Sequence, residues 1–219
     1  MAAYDDLMAH QRETEALSQV AGRLGWDQET MMPRDAAPQR GEEMAAMEGV
    51  LHARRTDPQV ADWLAEVETS GDVEVAQVRH IRRSFERASK VPAKLAAEIA
   101  RVTSEAQGTW AQAREADDFA AFAPTLKEVV ALKREEGAAL SAGGDVYDAM
   151  LDDYEPGATA AELAAMFDAL RPRLVNLRAA VLDAEAPAAL SGRFDEGAQM
   201  KLSRQIAKTF GYDLSLIHI

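Results

Sequence analysis

The sequence predicts an all-α fold, and three observations carry that prediction. Ala, Leu, Glu, Arg and Met dominate while runs of Val, Ile and Thr are scarce and aromatics make up only 6%, a balance that favours helix over strand. Apolar residues recur at spacings of three and four, which places them on one face of a helix. Capping residues, glycines and prolines punctuate these series where helices would start and stop.

Leu17, Val20, Ala21 and Leu24 define a first helix from about Asp5 to Leu24, with Gly25 as its expected stop. An irregular stretch containing Met31, Met32, Pro33 and Pro38 follows, and Met44, Met47, Val50 and Leu51 resume the helical period. Asp57-Pro58 breaks it, because proline disfavours α geometry in the residue before it. A short helix is expected over Val60 to Val67, then a loop at 69–72 leading to Val78, Ile81 and Phe85. Ser89 is the expected N-cap of the next helix, with Pro92 in its first turn and Leu95, Ile99, Val102 and Ala106 on its face toward Trp110 and Glu115. Asp118 would cap another, carrying Phe122, Leu126, Val129 and Leu140 and tolerating Pro124 near its start, with Gly143-Gly144 ending it. Thr159 and Glu162 form a capping box ahead of Leu163, Met166, Leu170, Leu174, Leu177 and Val181. Pro172 should kink or split that helix. A last helix spans about Asp195 to Phe210, presents Leu202 and Ile206, and stops at Gly211.

The charge excludes several partners. With 24 Lys+Arg against 37 Asp+Glu, the 219-residue chain is at −13, which repels phosphate backbones and argues against DNA or RNA. No window offers the roughly 18 apolar residues of a membrane span, and the acidic start, Tyr4-Asp5-Asp6, lacks a signal-peptide pattern. A cytoplasmic location is expected. The absence of cysteine removes disulfides, thiolate catalysis and Cys-based zinc sites.

Motifs for chemistry are few. His10, His52, His80 and His218 form no His-Glu-x-x-His or Glu-x-x-His pattern, so neither a zinc helix nor a di-iron bundle site is present. Glu48 and His52 could form a metal half-site, but an exposed ion pair is the more ordinary reading of an i, i+4 pair. Glu42-Glu43, Glu135-Glu136 and Asp152-Asp153 point about 100° apart when adjacent on a helix and read as solvated surface. Arg79, Arg82, Arg83, Arg87 and Lys90 form the one basic stretch, expected to pair with neighbouring acids such as Glu74 and Glu86. Met44 and Met47 read as core filling. Two segments exceed what simple helix connections need: Trp26 to Pro33, with Asp27 and Gln28, and Tyr147 to Gly157, with Tyr154. Taken alone, these segments read as packed structural loops, braced for instance by a buried ring, ahead of a ligand site. Trp26, Asp27, Gln28, Tyr147 and Tyr154 are the candidate residues for either role, the ligand role becoming the lining of a substrate groove under the resemblance given next.

These segments resemble the carboxypeptidase Taq family of metallocarboxypeptidases. The resemblance lies in Leu24-Gly25-Trp26-Asp27-Gln28-Glu29-Thr30 to Pro33 with Arg40-Gly41-Glu42, and in Tyr147-Asp148-Ala149-Met150-Leu151-Asp152-Asp153-Tyr154-Glu155-Pro156-Gly157, where Met150 replaces a common Leu. Asp118-Phe119 to Leu132-Lys133-Arg134-Glu135, Leu170-Arg171-Pro172 and Phe210-Gly211-Tyr212-Asp213 extend it over residues 4 to 213. It implies helical walls around a groove, a homodimer, peptide substrates with free C-termini, and a zinc or cobalt ion on a His-Glu-x-x-His helix with a downstream Glu ligand. None of those metal or catalytic residues falls within this chain, so no catalytic or metal-binding residue is assigned.

The expectation is an N-terminal part of a metallocarboxypeptidase over 1–213 that neither holds the metal nor hydrolyses peptides by itself. The six residues 214–219 match the translation of a transposase adaptor used in sequencing-library preparation and are expected to be foreign. A stand-alone acidic helical interaction module is the competing reading.

Overall fold

The computed structural model describes residues 2–189 and 191–214. Among them are nine α-helices, one 3₁₀ turn and no strand: α1 Ala2–Thr30, the turn Arg34–Ala36, α2 Ala37–Arg55, α3 Pro58–Glu66, α4 Asp72–Lys90, α5 Ala93–Glu115, α6 Phe119–Ser141, α7 Val146–Leu151, α8 Ala160–Asp183 and α9 Glu196–Thr209. Apart from Leu214, the tail expected to be foreign lies outside the described residues, as does His218.

The caps explain most boundaries. Asp57, Asp118, Asp145 and Asp195 accept from the N–H groups of Gln59, Ala121, Asp148 and Ala198, satisfying donors that a helix start leaves unpaired. Thr159 and Glu162 bond reciprocally at the start of α8, as the capping box predicts.

Several expected boundaries are corrected. Gly25 does not stop α1, which continues through Trp26 to Thr30. An interior glycine costs only about 1 kcal/mol, and the last turns are tied down by Arg40, as described below. The chain leaves the helix only before Pro33, where Met31 and Met32 both donate to the Asp27 carbonyl. Consequently α2 starts at Ala37, with Pro38 in its first turn, where a missing N–H is harmless. Ser89 caps nothing: α4 runs through it to Lys90, and the break falls at Val91-Pro92 because Pro92 forces its predecessor into an extended conformation. Within Tyr147 to Gly157 the structure forms a short helix, α7, that the sequence pattern did not reveal. Pro172 does not split α8, which is one continuous element.

The chain divides into two compact units, Met1–Ala164 and Ala165–Ile219, with the division inside α8. In the first unit α2 packs against α1, α4 and, most extensively, α5, which carries α6; α7 lies on α6. One apolar cluster joins Leu7 of α1, Val60 and Leu64 of α3, and Val78 of α4, flanked by Trp63 and Phe85. A second joins Val91 and Leu95 to Leu140 of α6, with Ala149 and Met150 of α7 against it. Met44 and Met47 are half-buried.

The second unit contains the rest of α8 and α9. None of its described residues is buried.

Candidate functional site

Arg40 is the centre of the first candidate segment. Its guanidinium, only 10% exposed, donates from Nη2 to Asp27 Oδ2 (2.6 Å), from Nε to Glu43 Oε2 (2.9 Å) and from Nη1 to the Leu24 carbonyl. The hydrogen bond to Asp27 raises the arginine pKa above its ordinary value, with burial opposing. One residue of α2 therefore holds two points at the end of α1, while Glu43 pairs with it from one turn further along α2. Gln28 holds a third point of α1: its Nε2 donates to the Ser104 carbonyl (2.6 Å) and its Oε1 accepts from Ser104 Oγ (2.7 Å) on α5. Gly41 permits the approach of α5 behind them, since a Cβ there would meet Glu105 Oε1 at 2.9 Å and Arg101 Cγ at 3.3 Å.

The adjoining cleft, about 310 Å³, is lined by Gln28, Thr30, Arg34, Glu105, Thr109 and Gln112 among others. Its hydroxyl, amide and guanidinium groups suit hydrogen bonding to a peptide backbone.

Asp152 organises the second segment. Its carboxylate accepts from Arg83 Nη2 (2.6 Å), Arg87 Nη1 (3.1 Å) and the Gly157 N–H (2.9 Å), while Asp153 takes Arg87 Nη2 at 2.6 Å. Gly157 sits at φ +85°, a left-handed conformation that glycine adopts without the Cβ penalty. Arg83 also donates to the Asp152 carbonyl, and Arg87 to that of Ala149 (3.2 Å). Asp148 completes the linkage by accepting from the Ala160 N–H (2.7 Å) at the start of α8.

These contacts correct three sequence expectations. Asp152 is not solvated surface but a junction of α4 with the 152–157 loop. The basic stretch of α4 does not pair with its neighbours: Glu74 accepts from Ser70, Arg82 donates to the Leu64 carbonyl, and Arg83 and Arg87 reach Asp152. Glu48 and His52 make no exposed pair; Glu48 meets Arg55 at 3.3 Å, and buried His52 donates to the Val91 carbonyl at 2.7 Å. Burial pushes the Glu48 pKa up, with Arg55 opposing.

Of the five candidates, Asp27 and Gln28 are held in the polar network, whereas Trp26, Tyr147 and Tyr154 are 56%, 66% and 82% exposed, so their rings are not buried anchors. Arg83, Arg87 and Ser104 were missed as partners. The first two stand four apart on α4, and that spacing was the available signal.

Asp152 gives a pH prediction. The Gly157 N–H, then Arg83 and Arg87, hold its carboxyl below the usual value, against desolvation. A carboxylate depressed on folding stabilises fully above its unfolded value, about 3.9, and loses that contribution as pH falls through the lower folded value. The NMR shift of the Gly157 amide should titrate with a midpoint below about 3.9. A midpoint above it would contradict the ion-paired geometry. Asp152→Asn should abolish the titration and cost about 1–2 kcal/mol, since an amide keeps one acceptor but no charge.

The sequence matches the family model of carboxypeptidase Taq (M32) metallopeptidase over residues 6–217. A thermostable carboxypeptidase 1 of Thermus thermophilus is 37% identical, aligned over 97% of this chain and 45% of its own length. Two solved structures share the architecture. Metallocarboxypeptidase 1 of Trypanosoma cruzi has a TM-score of 0.75 at 29% identity, covering 98% of this chain and 45% of that one. The M32 carboxypeptidase of Deinococcus radiodurans has a TM-score of 0.76 at 28% identity, covering 97% and 44%. The chain thus spans less than half the length of these relatives. A metallopeptidase implies a metal, but among the described residues no three His, Cys, Asp or Glu side chains converge on a point that could hold one. The donor set of the described residues does not fit a metal ion.

Proposed function

Because the chain belongs to the carboxypeptidase Taq (M32) metallopeptidase family, we propose that it is the N-terminal portion of a metal-dependent carboxypeptidase. It supplies walls and bracing for a peptide groove, while the metal and the groups acting on the scissile bond lie in the part of a family-length polypeptide that this chain does not span. The observation carrying this reading is the family-model match over residues 6–217, taken with a relative of whose length the chain covers only 45%. Peptides with free C-termini as substrates, zinc or cobalt as the metal, assembly as a homodimer and a cytoplasmic location belong to the same proposal. Two features agree with a soluble peptide-directed role. The net charge of −13 disfavours nucleic acid, and among the described residues no helix is long and apolar enough to cross a membrane.

The roles assigned to this chain are positional. Arg40 holds the end of α1, on which Trp26 and Gln28 stand, and Asp152 holds the loop that displays Tyr154. No proton transfer or bond cleavage is assigned to either. Residues 214–219 are proposed to be foreign, although the family match continues to residue 217; sequencing the genomic locus decides between native and adaptor sequence.

The test is hydrolysis. The purified 219-residue chain, supplied with zinc or cobalt and an N-terminally blocked peptide, should release no C-terminal residue. The polypeptide encoded by the intact locus should release residues one at a time, and a chelator should stop it. Release by the shorter chain would overturn the assignment of the chemistry to the remainder, and an inactive intact polypeptide would overturn the function.

A further inference from the structure

A notch of about 310 Å³ opens in the first unit where α5 turns into α6. It is lined by Trp110 and Arg114 at the end of α5, Phe119 and Phe122 at the start of α6, and Asp117 and Asp118 between them. The backbone builds it. The N–H groups of Ala116, Asp117 and Asp118 donate to the carbonyls of Gln112, Arg114 and Ala113 at 3.0, 3.3 and 2.8 Å, which fixes the turn. A spacing of four puts Trp110 and Arg114 on one side of α5, and a spacing of three does the same for Phe119 and Phe122 on α6.

The rings line this space without filling it. Trp110 is 49% and Phe119 68% exposed, and the only ring-to-ring contact among the described residues is that of His10 with Trp63. Three aromatic rings around an open volume leave apolar surface for a guest. The rim carries both signs of charge. Arg114 Nη1 stands 3.9 Å from Asp117 Oδ1 with both side chains largely in water, and such a pair contributes little and yields readily to a better partner. Asp118 caps α6 through Oδ1 alone, so its other oxygen has no partner among the described residues.

A guest that matches this rim has a carboxylate for Arg114, an ammonium for Asp117 and Asp118 close beside it, and an apolar group for the rings. A free α-amino acid with a large apolar side chain unites the three, and the volume lies at the small end of the range for small-molecule sites. We propose that the α5–α6 turn binds such an amino acid, its carboxylate on Arg114, its ammonium on Asp117 and Asp118, and its side chain among Trp110, Phe119 and Phe122. A peptide is the poorer fit, because neither of its end residues carries both charges. Free amino acids are also what a carboxypeptidase releases, so the ligand class coincides with the product of the proposed activity. That connection rests on the proposed function; the site itself does not.

The test is an NMR titration of the 219-residue chain with L-phenylalanine, read at the indole N–H signals of its three tryptophans. The Trp110 signal should shift with a dissociation constant on the order of 1 mM, and those of Trp26 and Trp63 should stay in place. Glycine, N-acetyl-L-phenylalanine and L-phenylalaninamide each lack one of the three features and should bind about fivefold more weakly or worse. Arg114→Gln and Asp117→Asn should weaken L-phenylalanine by a similar factor. Neither threatens the fold, since both side chains are exposed and asparagine tolerates the left-handed φ of +53° at position 117. Read at the Phe119 amide, Trp110→Ala should lose binding and Trp110→Phe should retain it. No Trp110 shift at about 10 mM ligand would overturn the proposal. Equal shifts at all three indoles, equal binding of the acetylated or amidated ligand, or charge variants that bind as tightly as the wild type would do so too. Binding is read without hydrolysis. A chain that binds phenylalanine while the intact-locus polypeptide cleaves no peptide would refute only the proposed function, and cleavage without binding would refute only this site.

Discussion

Leucine at position 137 is expected to unseat α7 from α6 and to destabilise the first unit by about 3 kcal/mol or more. Gly137 is buried in α6, and a Cβ built there would stand 2.7 Å from Val146 Cγ1, 3.1 Å from Met150 Cγ and 3.3 Å from Met150 Sδ. The first distance is shorter than real Cβ contacts allow, and the other two require α7 to move by a few tenths of an ångström. Two effects oppose each other for alanine: helix propensity gains about 1 kcal/mol, and overpacking costs about 1–3 kcal/mol. Gly137→Ala should therefore be mildly destabilising. Leucine adds three more carbons to occupied space, and displacing α7 also withdraws Ala149 and Met150 from the cluster built on Val91, Leu95 and Leu140. Urea melts of the Ala and Leu variants should show this ordering. Val146→Ala removes the 2.7 Å contact and should restore most of the loss in Gly137→Ala; a double-mutant cycle with no coupling would show that the contact is not the cause.

The helices that were legible in the sequence are those whose ends are written in local chemistry. Asp118 before Phe119 and the Thr159 to Glu162 box each act over three residues, and each caps where expected; Asp195, read only as the approximate start of the last helix, caps α9 in the same way. Long-range contacts were not legible. Gly25 looked like a stop because propensity is read locally, whereas α1 is extended by a side chain 16 residues away, where Arg40 meets the Leu24 carbonyl. The same reason hid the partners of α4: Arg83 and Asp152 are 69 positions apart, and near neighbours such as Glu86 were the only visible candidates. The two segments singled out for their unusual composition do lie where three helices must be tied together. The identity of the tying residues, Arg40 and Ser104 in one and Arg83 and Arg87 in the other, needed the fold. The Arg40-Gly41 dipeptide becomes intelligible in the same way. Its first residue reaches α1, and its second lacks the side chain that would block Glu105 of α5.

Replacing Arg40 by methionine should cost about 3 kcal/mol and loosen the end of α1 in particular. Hydrogen bonds to charged groups contribute about 1.5–3 kcal/mol each, and three end on this guanidinium, but they share one donor group and do not add. The loss stays below the full cost of an orphaned buried charge because the Asp27 and Glu43 side chains are each 40% exposed and water can reach them. Methionine fills much of the vacated volume, so the change reports on the polar contacts rather than on a cavity. Lysine keeps the charge but not the fork. It can serve one of the three acceptors at a time, and Arg40→Lys should fall between the wild type and methionine. Since the contacts converge on residues 24 to 27, amide exchange should accelerate at Trp26 to Met31 and little elsewhere. If the chain supplies a groove wall as proposed, the same variant in the intact polypeptide should raise the KM for peptides more than it lowers kcat, because it would displace that wall and remove no reacting group. Uniformly faster exchange across α1 would mean that Arg40 supports the whole helix rather than its last turns, and a fall in kcat at constant KM would place it in the chemistry instead.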